Sequence, residues 1–353
     1  MPEVEYKKRI DAKSLLVFSI SDIGFDFCRI IQNSDHYWDN IVLFTSNKVY
    51  KSKEITSIKV VIVEEFKFKK GSNLSHLISN EVQKYSDPFG FVIGWPLKFT
   101  SELINHFDGN LFNYHAGDLP EYRGAGGFSW QVLTNQNFLK GFIHELREDI
   151  DSGPILLEET KLLSTEKPLY PIDFINAFVV LREKLCIKFT NILKEKFIKF
   201  DSVDQAEKYS TYFPRLSTEQ NGFIDFSWSV SEADRFIRAF GNPYIGAAFK
   251  YKDQLFRCRV VSHVEFKKLH SYIGGLIIRK SSDTLFIAFH DGIIGIAQIF
   301  FEEKEVDTSS FTLGSRVYND FSDLDNSKKY RPWPENPFIQ FGGGTGIRTL
   351  EGD

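Results

Sequence analysis

Short apolar runs alternating with helix-period segments constrain the first half of this chain more than any other feature. Residues 14–20, 40–45, 58–63, 88–94 and 110–114 have strand length and β-branched or aromatic content. Between them, Phe27, Ile30 and Ile31 share one side of a helical pattern, as do Leu77, Ile78, Val82 and Tyr85 within residues 75–85. Strands that are apolar on both faces and joined through helices form a parallel sheet covered above and below. The expected fold is therefore α/β, built on a Rossmann-like, mostly parallel sheet. In such sheets sites form beyond the carboxyl ends of the strands, and Asn113-Tyr114-His115 falls at one of them. The turn after the first strand, Ser21-Asp22-Ile23-Gly24, makes no G-x-G-x-x-G loop, so a dinucleotide site is not expected. Residues 172–197 read as a long helix whose core stripe is Phe174, Phe178, Leu181, Leu185 and Phe189.

The pattern changes in the second half. A chain of 353 residues is long for one core, and two units are expected. The first covers 1–205, and a polar, loop-like stretch over 206–222 reads as a linker. From 223 to 305 the chain reads as a small OB-like β-barrel. Ser229 stands three residues before Glu232 at capping-box spacing, and the helix behind it carries Ala233, Phe236, Ile237 and Phe240. Short strands follow over 247–251, 254–261, 275–278, 285–289 and 293–299, with Asp291-Gly292 as a hairpin turn. Beyond Glu305 the periodicity fades. Residues 306–353 are expected to be a partly disordered tail, with prolines through 332–337 and glycines from 342 onward.

Charge and cysteine usage narrow the function. Formal net charge is −4, so the broad basic footprint of a nucleic-acid binder is missing. Cys28, Cys186 and Cys258 are odd in number, widely spaced and set in apolar contexts, which reads as buried thiols in a reducing cytoplasm. None has zinc-like spacing, and no metal is expected. No apolar run reaches the length of a membrane span, and the polar N-terminus does not read as a signal peptide. The expectations are a cytoplasmic protein with no membrane and no nucleic-acid partner.

Asn113 and His115, two residues apart, fall on one face of an extended segment. Asp151 follows on a Gly/Pro loop, Asp151-Ser152-Gly153-Pro154. An imidazole titrating near neutrality can take a proton from an amine. A carboxylate behind it can orient the ring, and an amide N–H can meet an oxyanion. One such donor is worth about 2.7–4 kcal/mol of transition-state stabilisation. Amide, imidazole and carboxylate together suit acyl transfer.

Asn113-x-His115, then Leu119-Pro120-x-Tyr122-Arg123-Gly124, then His144 and Asp151-x-Gly153, resembles the folate-dependent formyltransferases. That family includes enzymes acting on methionyl-tRNA, glycinamide ribonucleotide and nucleotide-linked amino sugars. The likeness runs over roughly 14–300, past the linker into Phe223–Trp228, Arg238–Gly246 and the Asp291-Gly292 turn. It implies N10-formyltetrahydrofolate as co-substrate and Asn113, His115 and Asp151 as the catalytic set. It implies a pterin lying against Trp95, Pro96 and Leu97 and against Asp149 and Ile150, read largely through backbone groups. The Gly117-Asp118-Leu119-Pro120 variant and Arg123-Gly-Ala-Gly-Gly-Phe-Ser-Trp130 look like the sugar enzymes. The acceptor so implied is a nucleotide-linked amino-deoxysugar such as dTDP-4-amino-4,6-dideoxyglucose, destined for surface polysaccharide. Asp118, Tyr122, Arg123, Tyr212 and Arg215 are its expected contacts, with Arg215 suited to a diphosphate. Methionyl-tRNA is the alternative acceptor, and a non-catalytic folate or sugar-nucleotide binder the alternative of another class. The sugar enzymes are often homodimers; from the sequence itself the oligomeric state is open.

Overall fold

A computed structural model describes residues 6–9, 13–34, 38–46, 58–63, 74–124, 128–194 and 197–330. Four apolar residues in five make β2 (Ser14–Phe18) a fully buried strand in the interior of a seven-stranded sheet. With β3 (Asn40–Thr45), β4 (Lys59–Ile62), β5 (Phe89–Val92), β6 (Leu111–Ala116), β7 (Phe138–Glu145) and β8 (Ile155–Leu162), the order is β4-β3-β2-β5-β6-β7-β8. The pairs from β4 to β6 are parallel, whereas β6–β7 and β7–β8 are antiparallel. Strands β7 and β8 escape a search for apolar runs because Lys140 and His144 interrupt β7 and β8 has no buried residue. A further pair, β1 (Tyr6–Arg9) with β9 (Phe197–Phe200), is antiparallel and separate.

Strand alternation sorts the core into two layers. Leu15 and Val17 face one layer with Phe89 and Phe91, under α1 (Asp22–Gln32) and the long α5 (Pro171–Leu193). Leu16 and Phe18 face the other with Phe44, under α2 (Leu74–Val82) and α3 (Ser101–His106). Each fully buried Phe contributes roughly 1.5–3 kcal/mol. Cys28, Cys186 and Cys258 are buried and free, and burial pushes the thiols of Cys186 and Cys258 up to about 12. Among the described residues no helix is long and apolar enough to cross a membrane.

The second unit begins with α7 (Val230–Ala239), after the short α4 (Ser129–Leu133) and α6 (Thr218–Asn221) have been passed. Its capping box forms as expected: the Ser229 hydroxyl accepts from the Glu232 N–H while the Glu232 carboxylate accepts from the Ser229 N–H. Antiparallel strands β10 (Ala247–Tyr251), β11 (Gln254–Phe266), β14 (Gly292–Phe301), β13 (Leu285–Phe289) and β12 (Ile277–Lys280) lie in that order, with β15 (Lys304–Val306) on β14. A segment that the sequence reading left in the tail bridges the two edges. Tyr318 exchanges hydrogen bonds with Lys250, while Val317 and Ser315 bond Gly275 and Ile277. Phe311 and Val317 are 1% exposed, and α8 (Phe321–Lys328) follows. Residues 306–330 are thus part of the packed unit, a correction to the tail beginning at 306. The expected disorder of 331–353 lies outside the described residues.

The stretch read as a linker is not a free tether. Thr211 donates to Pro120 O at 3.1 Å and accepts from Arg123 N at 3.0 Å, and Trp130 Nε1 donates to Pro214 O at 2.7 Å. One apolar cluster also crosses between the units, placing Leu139, Phe174 and Leu181 with Ile237, Phe240 and Phe249.

Candidate active site

Strand β6 carries Asn113 and His115 toward its carboxyl end, and the loop between β7 and β8 brings Asp151 onto them. Asp151 Oδ2 lies 3.3 Å from His115 Nδ1 and accepts the Gly124 N–H at 2.9 Å. Its Oδ1 accepts from Asn113 Nδ2 at 3.2 Å and stands 3.5 Å from Nε2 of His144. Burial by itself would push this carboxyl up. The positive charge that His115 and His144 carry when protonated, together with the Gly124 N–H, holds it well below the usual carboxylate range.

Three glycines let these groups meet. A Cβ on Gly153 would stand 1.8 Å from Glu145 O, so only glycine lets the Asp151 loop lie against β7. A Cβ on Gly117 would come within 2.8 Å of His115 Nε2. Gly124, at φ +109°, turns the chain so that its N–H faces Asp151. Asp151 itself sits at φ +52°, a left-handed conformation whose cost is on the order of 1–3 kcal/mol and which commonly marks functional sites.

The sequence reading placed Asp151 behind His115 and assigned neither ring nitrogen. The structure adds which edge of the ring faces the carboxylate. His115 Nε2 lies 2.7 Å from Tyr122 O. A carbonyl only accepts, so Nε2 carries a proton there, and the basic nitrogen is Nδ1, on the same side as Asp151. Asn113 is likewise not idle: its Nδ2 contacts His144 Nε2 at 3.1 Å as well as Asp151. His144 Nδ1 donates to Glu145 O at 2.8 Å, which fixes that ring. The role of His144 was missed because its motif position carries no chemistry until β7 is paired with β6, opposite Asn113.

A cleft of about 700 Å³ flanks the Asp151 loop, lined by Leu111, Glu145–Asp149, Ser152 and Gln205 among others. Its lining carries the acids Asp108, Glu145, Glu148, Asp149, Asp204 and Glu207, against one cation, Arg147. Of the residues expected to meet a pterin, Asp149 lines this cleft. Ile150 is 45% exposed beside it. Trp95 and Leu97 pack into the apolar layer with Phe18 and Phe99, and Pro96 is half-buried between them.

The expected acceptor contacts have other partners. Asp118 forms an ion pair with Lys140 at 2.7 Å. Tyr122 bonds Thr134 through its hydroxyl at 2.6 Å and stacks on Phe213. Arg123 is 7% exposed, and its guanidinium is held by Glu207 and Gln205 at 2.9–3.1 Å. Tyr212 and Arg215 are exposed. The Tyr212 ring lies against Gly124, whose N–H bonds the Asp151 carboxylate, and burial raises the pKa of its phenol. Residues 125–127 lie outside the described residues.

Two family descriptions match this chain: formyl transferase over 16–167 and formyl transferase, C-terminal domain, over 216–316. The methionyl-tRNA formyltransferase of Agathobacter rectalis is 21% identical over 259 residues, spanning 73% of this chain and 79% of that protein. Among solved structures, WlaRD, a sugar 3N-formyl transferase seen with dTDP and 5-N-formyl-THF, aligns with a TM-score of 0.57 at 17% identity. That alignment covers 81% of this chain and 97% of WlaRD. The N-formyltransferase from Helicobacter canadensis, in complex with folinic acid and dTDP-3-aminofucose, aligns with a TM-score of 0.55 at 17% identity. It covers 82% of this chain and 100% of that one. At these identities the structures speak for a shared fold.

Proposed function

Because this chain belongs to the formyl transferase family, we propose that it carries a formyl group from N10-formyltetrahydrofolate to the amine of a nucleotide-linked amino-deoxysugar. The observation that carries the chemistry is Asp151, shared among His115, Asn113, His144 and the Gly124 N–H on the two strands and loops of the family-matched segment. The donor supplies an activated formyl carbon. The cleft beside Asp151 is of the size that small-molecule sites have, and its carboxylates and carbonyls are acceptors for the N–H donors at a pterin's edge.

The residues act as follows in this reading. As the amine attacks, its proton passes to His115 Nδ1 at the edge shared with Asp151. The imidazolium that results donates to Asp151 Oδ2 on one side and Tyr122 O on the other, so its charge is fully paired. Charge developing on the formyl oxygen takes one hydrogen of Asn113 Nδ2 in place of the 3.2 Å contact to Asp151. His144, fixed by Glu145 O, keeps the other.

A sugar nucleotide is favoured over tRNA on electrostatic grounds. A diphosphate brings few charges, whereas tRNA brings a polyanionic backbone, and the cleft and the chain as a whole are acidic. The Gly117-Asp118 variant points the same way, with dTDP-4-amino-4,6-dideoxyglucose as the specific acceptor and surface polysaccharide as the destination. WlaRD and the Helicobacter canadensis enzyme bear dTDP or a dTDP-3-amino sugar in their structures, so the amine position is the open variable of the assay. The second reading, methionyl-tRNA as acceptor, rests on relatives such as the Agathobacter rectalis enzyme. The test is incubation with the formyl donor and a panel of dTDP-, UDP- and GDP-linked amino sugars alongside initiator methionyl-tRNA. A formyl mass gain on a sugar supports the proposal; formylation of the tRNA alone would replace it.

A further inference from the structure

Gln205 stands outside the expected catalytic set, in the stretch where the chain leaves the first unit. Asp204, Ala206 and Glu207 around it are exposed, but Gln205 is half-buried and turned onto the Asp151 loop. Its Nε2 donates to Asp151 O at 2.8 Å and to Gly153 O at 2.7 Å. Its Oε1 accepts from Arg123 Nε at 3.1 Å and Nη2 at 3.0 Å. The amide orientation follows from its partners, because carbonyls only accept and a guanidinium only donates. All four hydrogen-bonding positions of the side chain are filled.

These bonds close a circuit around the carboxylate. Arg123 precedes Gly124, whose N–H holds Asp151 Oδ2, while Gln205 holds the backbone of the same Asp151 and is itself held by the Arg123 side chain. Behind the loop, Ile155 and Val203 exchange backbone hydrogen bonds at 2.8 Å, and Gly153 presses on Glu145 O. The loop is thus gripped from both sides while Asp151 keeps its left-handed backbone. A conformation of that cost persists only where its surroundings over-determine it.

We propose that Gln205 is a positioning residue, whose two N–H groups lock the Asp151 loop so that the carboxylate meets His115 and Asn113, with Arg123 and Glu207 as its anchor. The kinetic part of this inference rests on the formyl-transfer reading; the structural part does not. The substitution Gln205→Glu keeps length and both acceptor contacts to Arg123 but sets a carboxylate against two carbonyl oxygens. Gln205→Met keeps only the volume. Lys208→Gln, at an exposed position three residues along that makes none of these contacts, serves as the control.

Hydrogen exchange of the 149–153 amides in the full chain is read first. Gln205→Glu and Gln205→Met should raise it about tenfold, with the amides of β2 unchanged and Tm within a few degrees of wild type. Formyl transfer, once the wild-type acceptor is found, should lose about 10–100-fold in kcat with KM for the acceptor nearly constant, as expected of a displaced catalytic group. Lys208→Gln should stay within about twofold in both. Unchanged loop exchange in both Gln205 variants would overturn the proposal whether or not the wild type formylates anything. So would a uniform rise across the whole chain with a fallen Tm, which marks a merely structural role. Failure of wild-type turnover beside a loosened loop would count against the formyl-transfer reading and leave the lock standing.

Discussion

Asp151 and His115 face each other through Oδ2 and Nδ1 at 3.3 Å, and the far nitrogen of the ring is closed by Tyr122 O at 2.7 Å. The proton-accepting edge of the imidazole is therefore the edge it shares with the carboxylate. This arrangement favours a ring that is charged while the amine attacks, with an oxygen acceptor at each end. It differs from a relay in which the acid lies behind the base, and the difference has consequences for substitution.

His115→Gln should cost about 10²–10⁴-fold in kcat, the range for loss of a general base, with little change in Tm. The amide can still donate toward Tyr122 O but cannot take a proton. Steady-state kinetics on the formyl acceptor, with thermal melts alongside, would check this. Wild-type kcat in His115→Gln would remove the ring from the mechanism.

Asp151 also predicts a pH dependence of stability. Its carboxyl is held low in the folded protein, so its contribution is fully present above the unfolded carboxylate value of about 3.9 and is lost as pH falls toward its folded value. The difference in urea-unfolding free energy between wild type and Asp151→Asn should not shrink from pH 8 to pH 5 and should fall only at lower pH. A difference that shrinks between pH 7 and pH 5 would contradict the pairing.

Gly117→Ala tests the fit of the ring. The new methyl would approach His115 Nε2 to 2.8 Å and Tyr122 O to 3.0 Å, so the hydrogen bond between them must open. Activity should fall by about tenfold or more, in line with the effect of small misplacements. The check is kcat measured beside a crystal structure of the variant. Full activity would mean that the Tyr122 contact does not set the ring.

Asp118→Asn bears on acceptor recognition. In the structure its carboxylate neutralises Lys140, which also lies 3.7 Å from Glu158. If its role is this pairing, the variant should keep kcat and shift the acceptor KM by less than about threefold, the scale of a half-exposed ion pair. A large rise in KM for amino sugars alone would restore Asp118 as a direct substrate contact.

Much of this was legible in the sequence for identifiable reasons. The strands β2, β3 and β5 are buried on both faces and announce themselves as continuous apolar runs, and Ser229 and Glu232 announce a helix start by spacing. Asn113, His115 and Asp151 could be grouped because their residue types make chemical sense together. Strands β7 and β8 were silent, being amphipathic or edge-exposed, and with them went the partnership of His144 with Asn113. Arg123, Asp118 and Trp95 were expected as ligand contacts through the family resemblance, and a motif carries no information about neighbours distant in sequence; the structure sets Glu207, Lys140 and Phe18 beside them. Segment 306–318 looked featureless because its two buried anchors, Phe311 and Val317, are too far apart in sequence to make a pattern. Gln205 carries no signal of its own, since its meaning comes from two carbonyls on a loop some fifty residues away.

The most direct test of the central claim is formyl transfer from N10-formyltetrahydrofolate to dTDP-4-amino-4,6-dideoxyglucose and its 3-amino counterpart, followed by mass for wild type and Asp151→Asn in parallel. The account predicts a formyl gain on an amino-sugar nucleotide with the wild type and a loss of at least about 10²-fold in rate with the variant. Equal rates for the two proteins, or formylation of methionyl-tRNA with every sugar nucleotide left untouched, would contradict it.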